Sequence, residues 1–119
     1  MRTRQLLVDG APAGLKVYCC DGFLQRARGR HCASAAELRC GWRLQPCNAV
    51  HTLLLREPID AVFCDQRGMV LRLVAPLRRN RCAWQRGADS VWEFPIGVAV
   101  ALALQYGSRL SLCESLPCQ

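Results

Sequence analysis

The sequence is poor in lysine, histidine and acidic residues. Of 16 basic residues only Lys16 is a lysine, there are two histidines, and nine acidic residues leave a net charge of +7. Aromatic residues make up only 7% of the 119 residues, whereas 51% are hydrophobic. This composition is globular and excludes wholesale disorder, a collagen-like chain and a coiled coil. A chain of this length buries one core, so we expect a single domain over residues 1–119, with a loose tail at 114–119.

Long hydrophobic stretches are also absent. After the basic start Met1-Arg2-Thr3-Arg4, Asp9 interrupts the apolar residues before they reach the roughly 7–15 residues that a secretory signal needs. The apolar run from Ile96 to Leu104 is shorter than the roughly 20 residues that span a bilayer. The sequence therefore predicts no membrane span and a cytoplasmic location.

Nine cysteines are present, but the closely spaced pairs typical of zinc ribbons are not. They stand at positions 19, 20, 32, 40, 47, 64, 82, 113 and 118, and an odd number cannot pair completely within one chain. His31, Cys32, Cys40 and Cys47 are possible metal ligands, but their spacing is irregular. We therefore predict no metal and no cofactor, and interpret most cysteines as small apolar residues.

Alternating apolar residues and turn signals predict mainly β structure. A hairpin is expected from Ile59–Cys64, the turn Asp65-Gln66-Arg67-Gly68 and the return strand Met69–Val74. Further strands are expected at 5–8, 15–20, 50–55, 90–94 and 109–113. The predicted fold class is α+β: a compact, mostly antiparallel β sheet or small barrel with one or two short helices.

Three segments carry helix signals. Asp21 is suited to cap a helix over Gly22–Arg28, and Ser34 with Glu37 fits a capping box. The run Gly97–Gln105 alternates, which allows either strand or helix, and its alanine and leucine content favours helix. A fully buried helix and a partner or dimer surface are both compatible with this apolar run.

An ordered series of short motifs resembles the bacterial and archaeal domain of unknown function 192 family, also called uncharacterised protein family 0127. The matching residues are Arg26-Ala27-Arg28-Gly29, Pro46-Cys47, His51-Thr52, Arg56, Pro58-Ile59-Asp60, Asp65-Gln66-Arg67-Gly68, Leu77-Arg78, Gly87-Ala88, Val91–Pro95, Gly97 and Gly107–Leu110. The resemblance covers about residues 14–112. It implies a small compact domain without an established activity. The chain departs from the family at Leu53-Leu54-Leu55, at Glu57 and at Arg79-Asn80, where aromatic residues, among others, are usual.

The densest polar cluster lies within the best-matching stretch. Cys47, His51, Thr52, Arg56 and Asp60 are the candidate ligand-binding residues. Cys47, His51 and Asp60 are also catalytic candidates, because an imidazole can activate a thiol and an aspartate can orient the imidazole. The structural alternative is that the histidine bonds backbone, Arg56 pairs with Asp60 and Cys47 packs.

A basic segment free of acidic residues begins at the turn of the predicted hairpin. It contains Arg67, Arg72, Arg78, Arg79, Arg81, Trp84 and Arg86. Such a segment can bind phosphates or single-stranded RNA, or it can be a solvated loop.

Together these observations favour a small non-enzymatic binding or accessory domain for a small ligand or a protein partner. Its pocket is expected near the Cys-His-Asp cluster. The alternatives are a Cys/His-dependent enzyme or thiol protein, and a nucleic-acid binder that uses the basic segment.

Overall fold

Strands form most of the regular structure in the computed structural model, which describes residues 2–22, 34, 36–53 and 55–113. In these ranges the strands are β1 (Thr3–Val8), β2 (Ala11–Cys20), β3 (Gly41–Leu44), β4 (Ala49–His51), β5 (Ile59–Cys64), β6 (Val70–Leu77), β7 (Cys82–Trp84), β8 (Ser90–Pro95) and β9 (Leu110–Leu112). Helical structure there is limited to a 3-10 turn at Glu37–Arg39 and a short helix, α1 (Val98–Ala101). Most of the helix predicted over Gly22–Arg28 lies outside the described residues.

The expected α+β class is wrong, because the fold is essentially all-β. The helix predicted over Gly97–Gln105 is reduced to the four residues of α1. Ala103 takes a left-handed conformation (φ 53°) just after α1, and a left-handed residue ends a helix. The helix is not fully buried either, since Val100 is 80% exposed.

Seven strands form one curled sheet in the order β6-β5-β8-β3-β2-β1-β9. Neighbours are antiparallel except β2 and β3, which run parallel. The two edge strands meet at one corner, where Met69 and Arg109 form an isolated bridge and the amide of Leu110 donates to the carbonyl of Gly68 at 2.8 Å. The curl gives the sheet a concave face.

The buried strand β5 separates two hydrophobic cores. On the concave side Val62 and Cys64 pack in a core with the β8 residues Trp92 and Phe94. On the other side a two-stranded ribbon, β4 paired with β7, covers the sheet, so that residues such as Phe63 pack against Val50 and Ala83.

The predicted hairpin turn and capping box are both confirmed. Asp65 Oδ1 accepts the amides of Arg67 (2.8 Å) and Met69 (3.0 Å). The amide of Ser34 donates to Glu37 Oε1 at 3.0 Å, and the amide of Glu37 donates to Ser34 Oγ at 3.2 Å. Hydrogen bonding of the Glu37 carboxylate to the Ser34 amide, and next to the Ser34 side chain, lowers the pKa of Glu37.

The predicted strand at 50–55 is shorter than expected. It ends at His51, because Thr52 begins a turn in which its carbonyl accepts the amide of Leu55 at 3.2 Å. Across the described ranges, no helix has the length and apolar character needed to cross a membrane.

Candidate functional site

The five residues of the predicted polar cluster occupy different parts of the fold. Thr52 is completely buried and ties two loops together. Its amide donates to the carbonyl of Arg81 at 2.8 Å, the amide of Arg81 donates back to Thr52 Oγ1 at 3.0 Å, and Thr52 Oγ1 also bonds the carbonyl of Arg78. Thr52 therefore anchors the loop between β6 and β7.

Asp60 serves the backbone of α1. It lies in β5 and is 1% exposed, and its Oδ2 accepts the amides of Gly97 (3.0 Å) and Ala99 (2.9 Å). An aspartate that accepts the unpaired amides at the start of a helix acts as a cap. These two hydrogen bonds occupy the Asp60 carboxylate. From the sequence, the same carboxylate is a candidate for a catalytic triad or for an ion pair with Arg56.

The remaining three residues lie on or near the ribbon. The half-buried thiol of Cys47 donates to the carbonyl of Ala49 at 3.0 Å. His51 is exposed on β4 and stands opposite Cys82 of β7. Arg56 is exposed in the following loop and has no ion pair within the described ranges. The described geometry therefore does not assemble a Cys-His-Asp triad.

A different set of residues forms a cleft of about 550 Å³ at the open end of the concave face. Pro95 pairs with Ile59 at one end of the β5–β8 pair, and α1 lies near this end. Ser90 pairs with Cys64 at the other end, where the cleft opens. The lining residues come from β1, β3, β8, β9 and the β5–β6 turn: Arg2, Arg4, Arg43, Gln45, Asp65, Gln66, Arg67, Gly68, Ser90, Trp92, Leu110, Ser111 and Leu112. We call this space the arginine cleft, because Arg2, Arg4, Arg43 and Arg67 converge on it.

Arg43 is more deeply buried than Arg2, with 17% of its side chain exposed against 55% for Arg2. It pairs in register with Trp92, and its guanidinium carbon lies 6.0 Å from the centroid of that ring. Its Nη2 donates to Asp21 at 3.0 Å, but its buried Nε–H has no hydrogen-bond partner among the described residues. A buried donor without an acceptor costs about 1–3 kcal/mol.

Two acidic residues moderate the charge of the arginine cleft. Asp21, at the rim, bridges Arg2 and Arg43 through its two oxygens, each contact being 3.0 Å. Asp65 belongs to the lining, but its Oδ1 already accepts two backbone amides of the turn. Among the described residues, the four guanidiniums of the cleft outnumber these two carboxylates.

Sequence reasoning missed three of the four cleft arginines, although an alternation signal was present. In β1, Arg4 is in phase with Leu6, which is fully buried in the concave core. In β3, Arg43 lies between Trp42 and Leu44, which point to the opposite face. An arginine at an inward position of an alternating strand indicates a polar interior site.

The basic segment of the sequence is divided by the fold. Arg67 lies on the β5–β6 turn and lines the arginine cleft. The other members lie on β6, in the loop before β7, on β7 and just after it. Arg72, on β6, donates from Nη1 to the carbonyl of Trp84, on β7, at 2.7 Å. Arg79 Nε donates to the carbonyl of Leu55 at 2.9 Å and is therefore partly structural.

Within the described ranges no three His, Cys, Asp or Glu residues are grouped so that they could hold a metal ion. His31 and Cys32, two of the ligands considered from the sequence, lie outside those ranges. Cys40 is half-buried and its thiol approaches the carbonyl of Ala36 at 3.9 Å.

The fold is shared with two solved structures of low sequence similarity, each 16% identical to this chain. A protein described as a putative transcription regulator from Sinorhizobium meliloti matches with a TM-score of 0.80 over 93% of this chain and 94% of that one. A protein of unknown function from Novosphingobium aromaticivorans matches with a TM-score of 0.68 over 82% of this chain and 74% of that one. No protein-family model and no curated protein sequence matches the chain. The chain is therefore similar in fold to these two bacterial proteins.

Proposed function

We propose that this protein is a small non-enzymatic binding domain that holds an anionic small molecule in the arginine cleft. The observation that carries the proposal is the convergence of Arg2, Arg4, Arg43 and Arg67 on one concave space. Guanidinium groups present a planar fork of donors that fits carboxylate and phosphate oxygens. Carboxylates and phosphates are therefore the ligand groups that this cleft favours.

The charge of the arginine cleft supports a ligand with two or more negative charges. Asp21 and Asp65 offset part of the charge of the four guanidiniums, and a dianion complements what is left. The apolar side chains of Leu110 and Leu112 in the lining suit a ligand whose anionic groups sit on a small carbon framework. The proposal includes no catalytic step, because Asp60 is bound to the backbone near α1.

Calorimetric titration with pyrophosphate and with citrate tests this proposal. Both probes should bind the wild-type protein, and Arg43→Gln and Arg67→Gln should each weaken binding about tenfold, which corresponds to the loss of one charged hydrogen bond. Arg56→Gln is the matched control, because Arg56 is exposed outside the cleft. Equal affinities of all four proteins would contradict the proposal, as would the absence of binding at millimolar concentrations.

We also propose that the chain is a cytoplasmic member of the domain of unknown function 192 family. The family-like residues have defined structural tasks here, which supports the assignment. Asp60 caps α1, Thr52 anchors a loop, and Asp65 with Gly68 forms the β5–β6 turn. Cys19, Cys47, Cys64 and Cys82 are free thiols, as expected in a reducing compartment. An experimental structure of a family member in which the matching residues bond other partners would argue against the assignment.

A further inference from the structure

A second surface, on the opposite side of β5 from the concave core, combines an exposed aromatic ring with arginines. In the β4–β7 ribbon, Val50 and Ala83 face the core and are buried. Side chains alternate along a strand, so the remaining residues of both strands, Ala49, His51, Cys82 and Trp84, belong to the outer face. We call this face the outer ribbon face.

Trp84 contributes little to the folded core. Its side chain is 64% exposed, whereas Trp42 and Trp92 are each 2% exposed. Its directly opposite residue is Ala49, which is too small to cover an indole. His51 lies diagonally across the ribbon, about 7–8 Å from Trp84 in the usual geometry of such pairs. The outer ribbon face thus presents the Trp84 ring, on which a planar group can stack, with the His51 ring on the same face.

Positive charge surrounds these rings. Arg72 stands opposite Phe63 in the β5–β6 pair, which places it on the ribbon side of the sheet, where it reaches the carbonyl of Trp84. Arg78, Arg81 and Arg86 are exposed on either side of β7 along the chain. No acidic residue occurs between Asp65 and Asp89. A chain of phosphates therefore meets attraction along this whole segment.

We propose that the outer ribbon face binds single-stranded nucleic acid, with a base stacked on Trp84 and the backbone phosphates held by Arg72, Arg81 and Arg86. Single-stranded nucleic acid is the occupant that fits both features, since its bases stack on aromatic rings and its phosphates pair with guanidiniums. An anionic membrane fits less well, because membrane binding depends on a broad apolar face and this one has a single large apolar side chain. The surface is separate from the arginine cleft and does not depend on its ligand.

Trp84 supplies its own spectroscopic reporter. Because the other two tryptophans are buried, quenching of the red-shifted part of the emission follows the Trp84 ring directly. The probe is an oligouridine of about ten nucleotides, a length within the usual range of single-strand sites. Anisotropy of the labelled oligonucleotide gives the affinity at about 50 and about 200 mM salt.

We expect the oligouridine to quench this emission and Trp84→Ala to weaken binding about tenfold, the effect of losing one stacked base. Trp84→Phe should retain most of the affinity because the phenyl ring also stacks. Tyr106→Ala is the control, since Tyr106 is similarly exposed, at 77%, but lies between α1 and β9. Arg81→Gln and Arg86→Gln should each reduce the slope of log affinity against log salt by about one.

Three results would overturn the proposal. One is unchanged oligouridine affinity in Trp84→Ala. Another is equal binding of the matching duplex without quenching, which would indicate contact through charge alone. The third is a Trp84 emission shift with phosphatidylserine vesicles but not with oligouridine, which would make the surface a membrane contact.

Discussion

Replacing Asp60 with alanine leaves the amide of Gly97 and the buried amide of Ala99 without their acceptor. An unpaired buried amide costs about 1–3 kcal/mol, so we expect the free energy of unfolding to fall by about 2 kcal/mol. Urea denaturation measures the change. Glu57→Ala is the control, because Glu57 is exposed, and it should leave the urea midpoint in place. A small effect of Asp60→Ala would mean that Asp60 does not stabilise α1.

Asp21 competes with any anion for two arginines of the cleft. Its carboxylate occupies the Nη2 groups of Arg2 and Arg43, which an anionic ligand needs. Each exposed ion pair is worth about 0.2–1 kcal/mol, so Asp21→Asn should tighten pyrophosphate binding by about two- to fivefold. The calorimetric titration described above measures this change. Weaker binding by Asp21→Asn would instead mean that Asp21 holds the arginines in position.

At the residue scale, the sequence predicts contacts between residues that are a few positions apart. It does not predict which residues far apart in the sequence converge on one site. Ser34 with Glu37 and Asp65 with Gly68 act over a few positions, and the sequence predicted both arrangements. Arg43 joins Arg2 and Arg4 only because β3 pairs in parallel with β2, a pairing that no local pattern specifies. For the same reason Cys47, His51 and Asp60, which are close in the sequence, serve different elements of the fold.

At the scale of elements, the β5–β6 turn holds the sheet in its curl. Gly68 has φ +82°, and a Cβ at this position would lie 2.2 Å from the carbonyl oxygen of Leu110. Gly10 has the same φ, but a Cβ there would have nothing within 4 Å. Substituting the two glycines therefore distinguishes the free-energy cost of a left-handed backbone from that of a steric collision.

Comparing Gly68→Ala with Gly10→Ala tests this function of the turn. In both variants the free energy of unfolding should fall by about 1–2 kcal/mol, because alanine is strained in a left-handed conformation. Gly68→Ala should lose about 1–3 kcal/mol more, because the new methyl group meets the β9 backbone. Thermal and urea unfolding of both variants give the difference. Equal losses would show that the turn can move away from β9 without cost.

Strand positions were more predictable than the lengths of irregular elements. Ile59–Cys64, and Ser90–Pro95 apart from its last residue, follow from mainly apolar residues with clear turn signals at their ends. The predicted helix at 97–105 failed because composition does not reveal the left-handed Ala103 that ends α1. The predicted strand at 50–55 stopped early because Thr52 binds the neighbouring loop, a tertiary contact.

At the scale of the whole molecule, buried thiols make stability depend on alkaline pH. Burial is the main cause that raises the pKa of both Cys20 and Cys64 from 9.0 to about 12. Above about pH 9 the unfolded chain loses these protons while the folded protein keeps them. The unfolded state is thereby stabilised relative to the folded state, and the free energy of unfolding falls. The stabilisation is complete below pH 9 and falls progressively as the pH rises towards 12.

Urea midpoints at about pH 8 and about pH 10.5 measure this dependence. The wild-type midpoint should be lower at the higher pH. Cys64→Ala removes one of the two thiols, so its midpoint should fall less between the same two pH values. A fall as steep as that of the wild type would assign the alkaline loss of stability to other groups.

The curled sheet also decides when the proposed anion could bind. One wall of the arginine cleft is made by β1 and β9, which pair although they come from opposite ends of the described chain. Pairing of such distant segments is a slow event in folding, because the long loop between them must close. A ligand that needs this wall has little affinity for partly folded chains. Its binding therefore shifts the equilibrium towards the closed fold, so ligand concentration becomes a control on how much of the protein survives heat or proteolysis.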